Sequence, residues 1–220
     1  MTHSSLTDQI RQSMQRSSRN GVVVDTFLIH HQAGTNDDAT INAMVSGSKQ
    51  VSANYTISNE GRLTLVVDED YRAWTSGSSS DGGKGAAWDR RSITVEIENM
   101  KAGGDWPISV AAIQTAINLL ADLRRRYDIQ NVLGHRDLWN LFRASYVTFC
   151  PGPNTVAAIN SGQATQVGSS VGTPSMPSYN FGYGLTAEAQ KAVQGALQRL
   201  GRYTGLVDGI FGALSVRAMQ

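Results

Sequence analysis

Residues 22–31 read V-V-V-D-T-F-L-I-H-H, an apolar run of strand length that ends in two histidines. Branched and aromatic side chains favour extended backbone, so we predict a strand over residues 22–30 with His30 near its end. A second apolar pair, V-L at 132–133, comes just before G-H, so another short strand is predicted to end at His135. Side chains at the ends of neighbouring strands can converge at one edge of a sheet. We therefore expect the fold to be built around these two strands, with both histidines at that edge.

The same pattern predicts three further strands, at residues 53–58, 62–67 and 93–98. The N-E-G sequence between the first two is typical of a hairpin turn. In the last strand, I-T-V-E-I-E, apolar residues alternate with polar ones. We therefore expect one buried face and place Glu96 and Glu98 on the opposite face.

Two helices complete the pattern of the first part of the chain. A short helix is predicted over residues 7–17. A longer helix is predicted from a cap at Ser109 to about residue 127, because its apolar residues recur at helical spacing. Strands mixed with helices predict an α/β domain with a central sheet.

The composition is that of a globular chain with little net charge. Its 220 residues are 40% hydrophobic and carry a formal charge of +1, which gives no electrostatic attraction to nucleic acid. No apolar run approaches the roughly 20 residues of a membrane span, and the N-terminus lacks the charged-then-apolar order of a signal peptide. A single cysteine excludes an internal disulfide. We expect a monomer that binds neither membrane nor nucleic acid.

The composition changes after about residue 160. Residues 144–187 carry no charged side chain, and their Ser-, Gly-, Thr- and Pro-rich part predicts a flexible linker over residues 161–181. Residues 182–220 show helical spacing followed by a glycine-punctuated loop. We therefore divide the chain into a domain over residues 1–160, the linker, and a small partial all-α module.

The lone cysteine, Cys150, lies in T-F-C-P-G, where the Pro-Gly pair fixes a turn that can aim its side chain. With His30 and His135 it makes a set of one thiol and two imidazoles, the ligand types of a catalytic zinc that keeps its fourth position open. The alternative is structural: a buried small hydrophobe for the cysteine and satisfied core positions for the histidines. Spacing alone leaves both interpretations open, because it matches no short zinc-finger pattern.

Six motifs occur in order over roughly residues 22–153: H-H-Q-A-G, S-A-N-Y-T-I-S-N-E-G-R, R-A-W-T-S-G, S-I-T-V-E-I-E-N, G-H-R-D and T-x-C-P-G. Together they resemble the zinc-dependent type-2 N-acetylmuramoyl-L-alanine amidase family, which includes phage endolysins. The resemblance implies a mixed central sheet flanked by helices. It also implies a zinc ion held by His30, His135 and Cys150.

The resemblance assigns further residues around that ion. Glu96 matches a glutamate that takes a proton from the attacking water and returns it to the leaving amine. Thr148 matches a position whose hydroxyl can hydrogen-bond the developing oxyanion. Substrate-binding positions are assigned to His31, Asn54 and Trp74, with a packing role as the alternative for His31.

The chain also departs from the family pattern. Fourteen residues separate His135 and Cys150, so L-W-N-L-F-R-A-S-Y-V looks like an inserted loop or short helix. This makes Cys150 the least secure ligand, with Asp137 as the next candidate. A tyrosine that some members carry near the site falls at Ala53, and Thr75 stands where many members have histidine.

The predicted function is hydrolysis of the amide bond between N-acetylmuramic acid and L-alanine in bacterial peptidoglycan, by a phage endolysin made in the host cytoplasm and released to the cell wall. The alternatives are a non-catalytic peptidoglycan-recognition protein and a zinc peptidase that cleaves the stem peptide. The tail, with L-G-x-x-x-G-x-x-D-G-x-F-G, resembles part of a small helical peptidoglycan-binding module. Tethering such a module would raise the local substrate concentration.

Overall fold

The computed structural model describes residues 1–77, 79–103 and 105–168, which belong to a unit spanning Met1–Ser169. The strands of this part are β1 (Gln9–Ile10), β2 (Arg16–Ser18), β3 (Thr26–His31), β4 (Tyr55–Ile57), β5 (Leu63–Leu65), β6 (Tyr71–Ala73), β7 (Ser92–Ile97) and β8 (Asn131–Gly134). The helices are α1 (Asp37–Ser46), α2 (Ala86–Arg91), α3 (Val110–Arg126), α4 (His135–Asn140) and α5 (Thr155–Ser161).

Six of these strands form one mixed sheet in the order β1-β5-β4-β7-β3-β8. β3 lies between β7 and β8 and runs parallel to both, and β4 runs parallel to β7. β5 is antiparallel to β4, and the turn between them contains Gly61 at φ +88°, which confirms the predicted hairpin. β2 and β6 pair separately as an antiparallel ribbon. The predicted mixed sheet flanked by helices is thus confirmed.

One face of the sheet packs against α3 and α5 and forms the main apolar core. Phe27 and Ile29 of β3 meet Ile113 and Leu120 of α3 in this layer. Burying one large apolar side chain contributes about 1.5–3 kcal/mol, so this layer dominates the stability of the fold. The predicted helix cap is present, since Ser109 Oγ accepts a hydrogen bond from the amide of Ala112. Among the described helices, none is both long and apolar enough to cross a bilayer.

The opposite face of the sheet carries polar side chains near its centre. Side chains alternate along a strand, so the residues between the core positions of β3 and β7 point to this second face. Leu28 packs there with Leu133 and with Leu138 of α4, and the fully buried Thr94 lies on β7. His30 and Glu96 share this face, at the carboxyl ends of their strands.

Two sequence predictions about the N-terminal part are wrong. Residues 7–17 form no helix: Gln9 and Ile10 pair with β5, because the backbone there completes the sheet edge. The strand predicted over residues 22–30 begins only at Thr26, and Val23 ahead of it is 75% exposed. In both cases contacts distant in sequence override the local pattern.

The structure places the two glutamates of I-T-V-E-I-E differently. Glu96 lies within the strand, whereas Glu98 lies beyond its end at Ile97. Neither belongs to a solvated face: the Glu96 side chain is 15% exposed, and Glu98 is buried, with its carboxylate accepting a hydrogen bond from the amide of Asn59 at 2.8 Å.

The end of the described chain bears on the predicted domain boundary. Residue 161 is the last of α5, and Val167 is buried in the main core, where it forms a β-bridge with Ile108. Within the stretch predicted as linker, Val167 is therefore packed, whereas most of residues 161–166 are exposed. The rest of that linker and the predicted module over residues 182–220 lie outside the described residues.

Candidate metal centre

The site is built on the carboxyl ends of three adjacent parallel strands. In the register of β3 with β7, His30 is directly opposite Glu96. In the register of β3 with β8, Ile29 is opposite Gly134, so His135, the next residue, begins α4 beside His30. The carboxyl ends of parallel strands meet at one edge of a sheet, where ligand sites commonly form. The two imidazole rings lie with centroids 4.6 Å apart.

Cys150 reaches the same point from a loop. The amide of Arg136 donates to the Cys150 carbonyl at 2.8 Å, which ties the loop to the start of α4. The amide of His31 donates to Cys150 Sγ at 3.3 Å, and the amide of Cys150 donates to Thr148 Oγ1 at 3.2 Å. The inserted segment therefore leaves the thiol in place. Asp137, the alternative third ligand, instead caps α4 by accepting from the amide of Gly134 at 2.7 Å.

The three candidate ligands form a compact, buried cluster. One ligand atom from each of His30, His135 and Cys150 lies within 4.8 Å of the other two. His30 Nε2 is buried with no hydrogen-bond partner among the described residues, which is costly unless something else binds there. Two imidazoles and a thiol suit a borderline-soft divalent ion such as zinc. The residues present therefore fit a bound metal.

His135 is held by a neighbour from the inserted segment. Its Nε2 lies 2.8 Å from the hydroxyl of Ser145, which is fully buried. A hydrogen bond at Nε2 leaves Nδ1 as the nitrogen free for a metal, and a partner of this kind fixes the tautomer and the ring orientation of a ligating histidine. No local pattern in the sequence marks Ser145 as a neighbour of His135.

A groove of about 470 Å³ opens beside this cluster. One wall is formed by residues 32–36 and by α1, and the other contains Thr75, Glu96 and Tyr146. Lys49 contributes the one cationic side chain among the residues that line it. The groove therefore gives an extended ligand access to Glu96, directly beside the three candidate ligands.

Residues 20–153 match the family model described as N-acetylmuramoyl-L-alanine amidase, and this span is more than half of the chain. The chain belongs to this family. It is therefore an enzyme, an amidase that acts on peptidoglycan. Among curated proteins, none matches the sequence.

Solved structures share the amidase fold at low sequence identity. A selenomethionine derivative of AmpD is 22% identical with a TM-score of 0.53, and the match covers 71% of this chain and 96% of that one. PlyL is 19% identical with a TM-score of 0.51, covering 70% and 98%. The amidase LysC from Clostridium intestinale is 15% identical with a TM-score of 0.51, covering 70% and 99%. These likenesses show the fold.

Burial sets the protonation of the candidate ligands in the amidase. It lowers the pKa of His30 well below the usual histidine value and the pKa of His135 to about 4, so both rings are neutral at pH 7. Neutral imidazole is the form that offers a lone pair to a metal. Burial raises the pKa of the Cys150 thiol, and the charge of Glu96 adds to this effect. An adjacent metal cation would favour the thiolate instead.

Glu96 lies at the boundary between the cluster and the groove. Its Oε1 is 3.9 Å from His30 Nδ1, and its Oε2 has no hydrogen-bond partner among the described residues. Burial, followed by the charge of Asp89, raises the pKa of Glu96 well above its usual value. A carboxyl group with a raised pKa and one free oxygen at a groove can accept and return a proton.

The predicted substrate-binding residues do not line this groove. Asn54 is completely buried, and its side-chain amide donates to carbonyls including that of Val67 while its Oδ1 accepts from the amide of Thr94. It therefore joins β4 to β7 and cannot reach a substrate. Trp74 is not among the residues that line the groove, and its Nε1 donates to Ser17 Oγ at 3.2 Å. The neighbouring strands thus account for the burial of Asn54, and the assignment of Trp74 to substrate binding stays a prediction.

His31 and Thr148 have local partners near the site. His31 is buried, with Nδ1 3.0 Å from Asn99 Oδ1 and its ring 5.4 Å from that of Trp106. These contacts favour the packing role, and substrate binding by His31 stays a prediction. Thr148 Oγ1 accepts from the amide of Cys150, so its clearest contribution is to shape the turn that presents the thiol.

Thr75 is a groove residue that sequence comparison marked only as a departure from histidine. Its hydroxyl lies 2.8 Å from both the Ser52 carbonyl and Thr94 Oγ1, so the side chain is fixed between two elements. It lines the groove next to Glu96. Its position in R-A-W-T-S-G was the one available indication of this placement.

Proposed function

We propose that this amidase is a zinc enzyme that cleaves the bond between N-acetylmuramic acid and L-alanine, and that it serves as a phage endolysin. The observation that carries the proposal is the buried cluster of His30, His135 and Cys150 with Glu96 beside it at an open groove. When bound, zinc would polarise the scissile carbonyl and lower the pKa of a water molecule. The chain's own residues supply positioning and proton transfer.

Glu96 is the proposed general base and acid. Its carboxylate takes a proton from the attacking water, and the same oxygen then gives the proton to the nitrogen of L-alanine as the amide bond breaks. The register opposite His30 holds it at the right edge of the sheet. Thr148 is proposed to donate its hydroxyl proton to the developing oxyanion, because its bond to Cys150 uses only the oxygen as an acceptor.

Digestion of purified peptidoglycan, followed by mass spectrometry, tests this function. We expect new free amino termini on L-alanine with the glycan strands intact, loss of activity on chelation, and recovery on adding zinc. Cleavage within the stem peptide would show a zinc peptidase instead. Binding of peptidoglycan without any cleavage by the zinc-loaded protein would show a recognition protein.

We further propose that residues 182–220 add affinity for the cell wall without taking part in the chemistry. The candidate ligands and Glu96 all lie before residue 151. A chain truncated after residue 168 should hydrolyse small soluble muropeptides like the full chain. On intact walls its activity should fall by up to about 10²-fold, the gain that tethering supplies. Loss of turnover on the soluble substrate would mean that the tail belongs to the catalytic fold.

A further inference from the structure

The segment between α4 and Cys150 brings an aromatic side chain to the groove. Residues 141–149, which include the end of the apparent insertion, leave several large apolar side chains exposed, namely Phe142, Tyr146, Val147 and Phe149. Of these, only Tyr146 lines the groove beside Glu96. The segment thus contributes one wall residue in addition to Ser145, which holds His135.

Tyr146 is held from two sides. Its ring meets the ring of His135 edge-on, with centroids 4.9 Å apart. On the other side it lies so close to Gly77 that a Cβ there would be 2.6 Å from Tyr146 Cε1. Gly77 also has φ +98°, so its backbone and its lack of a side chain both suit this contact. The ring is therefore fixed in place although the residue is 48% exposed.

The hydroxyl of Tyr146 is available to a ligand. It makes no hydrogen bond to any residue in the part of the chain that the structure describes, whereas Tyr55 and Tyr127 both donate to Glu69. An oriented phenol with a free O–H can combine apolar contact with one directed hydrogen bond. The groove wall it shares with Thr75 and Glu96 is where an extended ligand would lie.

We propose, on the basis of the function proposed above, that Tyr146 is a substrate-binding residue of this amidase. Its ring packs against the bound glycopeptide, and its hydroxyl donates a hydrogen bond to an oxygen of the substrate next to the scissile amide. The inserted segment thereby completes the groove wall beside the metal cluster. In this position the tyrosine makes up for the groove contact that neither Asn54 nor Trp74 provides.

The test compares Tyr146→Phe with Tyr71→Phe, a half-exposed tyrosine whose ring packs under Arg16 and does not line the groove. Losing one neutral hydrogen bond should raise the KM for a soluble muropeptide by about tenfold, with kcat within about twofold of wild type. Tyr146→Ala should raise KM by about a further tenfold, because ring contact is lost too. Zinc content, measured by atomic emission, should be unchanged in Tyr146→Phe.

A binding measurement separates this proposal from the proposed function. In a Glu96→Gln background, calorimetric titration with the same muropeptide should show a Kd about tenfold weaker when Tyr146→Phe is added. That result with no turnover by the wild type would refute the cleavage but support the contact. Wild-type KM and Kd in Tyr146→Phe would overturn the contact, and so would a loss explained by reduced zinc content.

Discussion

Two buried polar clusters on this domain make an instructive contrast. Glu69 is almost fully buried, and both carboxylate oxygens are bound: Oε1 by the hydroxyl of Tyr55 at 2.6 Å and Oε2 by that of Tyr127 at 2.8 Å, with Arg126 donating to each. In the cluster around Glu96, by contrast, that residue's Oε2 and His30 Nε2 have no partner in the described chain.

The difference separates a structural polar cluster from one that awaits a ligand. A buried charge is tolerated when its hydrogen bonds and a counter-ion come from the chain itself, as around Glu69. Unpaired buried groups cost free energy that the fold alone does not recover, and such groups concentrate at functional sites. The Glu96 cluster fits the second description, since a cation and a substrate would supply the missing contacts.

The largest effect is expected from removing the thiol. Cys150→Ser should lower zinc affinity by more than the roughly 10²-fold that a change outside the ligand set costs, because a thiolate ligand is lost. Competition with a chelator measures this directly. Full zinc occupancy and activity in this variant would mean that the third ligand lies elsewhere in the chain.

Glu96→Gln should cut turnover by about two to four orders of magnitude while zinc binding and the fold are kept. The amide cannot accept a proton from water as a carboxylate does. Glu98→Gln is the matched control, because Glu98 lies one residue beyond β7 and binds the amide of Asn59 instead. Steady-state kinetics should separate the two variants, and equal losses in both would remove Glu96 from the chemistry.

Removing the charge of Glu69 should lower the stability of the domain and leave catalysis unchanged. Glu69→Gln should lower the free energy of unfolding by about 3 kcal/mol, because Arg126 loses its ion pair with the fully buried Glu69 and keeps only that with Asp122. Thermal unfolding measures the loss as a fall in Tm, with zinc content unchanged. Glu60→Gln, at an exposed carboxylate, is the control, and a Tm as low in this control would point to a general charge effect.

The smallest effect is expected at Ser145, which bonds the candidate ligand His135 but is not itself a candidate ligand. Ser145→Ala removes the hydrogen bond to His135 Nε2 and should weaken zinc binding by about 10- to 100-fold, the usual range for such partners. Ser161→Ala, an exposed serine at the end of α5, should leave zinc affinity alone. If Ser145→Ala binds zinc like the wild type, packing alone orients the imidazole.

Local patterns in the sequence predicted the parts of this fold that local contacts determine. The carboxyl end of β3, the hairpin at Gly61 and the capped helix after Ser109 follow from an apolar run, turn residues and helical spacing, respectively. The three candidate ligands were likewise predicted to converge, and their atoms lie within 4.8 Å of one another. Their role as zinc ligands stays a prediction.

Features that depend on the alignment of distant strands were not predictable in this way. β1 forms because residue 9 lies opposite residue 64, and no local pattern reports that pairing. Asn54 was assigned to substrate binding, but it directly precedes β4, accepts a hydrogen bond from Thr94 of β7 and is completely buried. Ser145 and Tyr146 were part of an apparent insertion, and only the fold shows that both contact His135.

The different anchoring of the site residues has a consequence for engineering. His30 and Glu96 lie in the paired strands β3 and β7, and His135 directly follows β8. Tyr146 instead lies in a loop that contacts β3 again at Cys150, where the amide of His31 donates to the thiol. Exchanging residues 141–144 and 146–147 for other sequences of equal length, with Ser145 and the turn from Thr148 to Cys150 retained, should therefore vary the substrate range while the arrangement of the three candidate ligands is kept. Libraries confined to these positions would search for new cell-wall targets without changing the three candidate ligands.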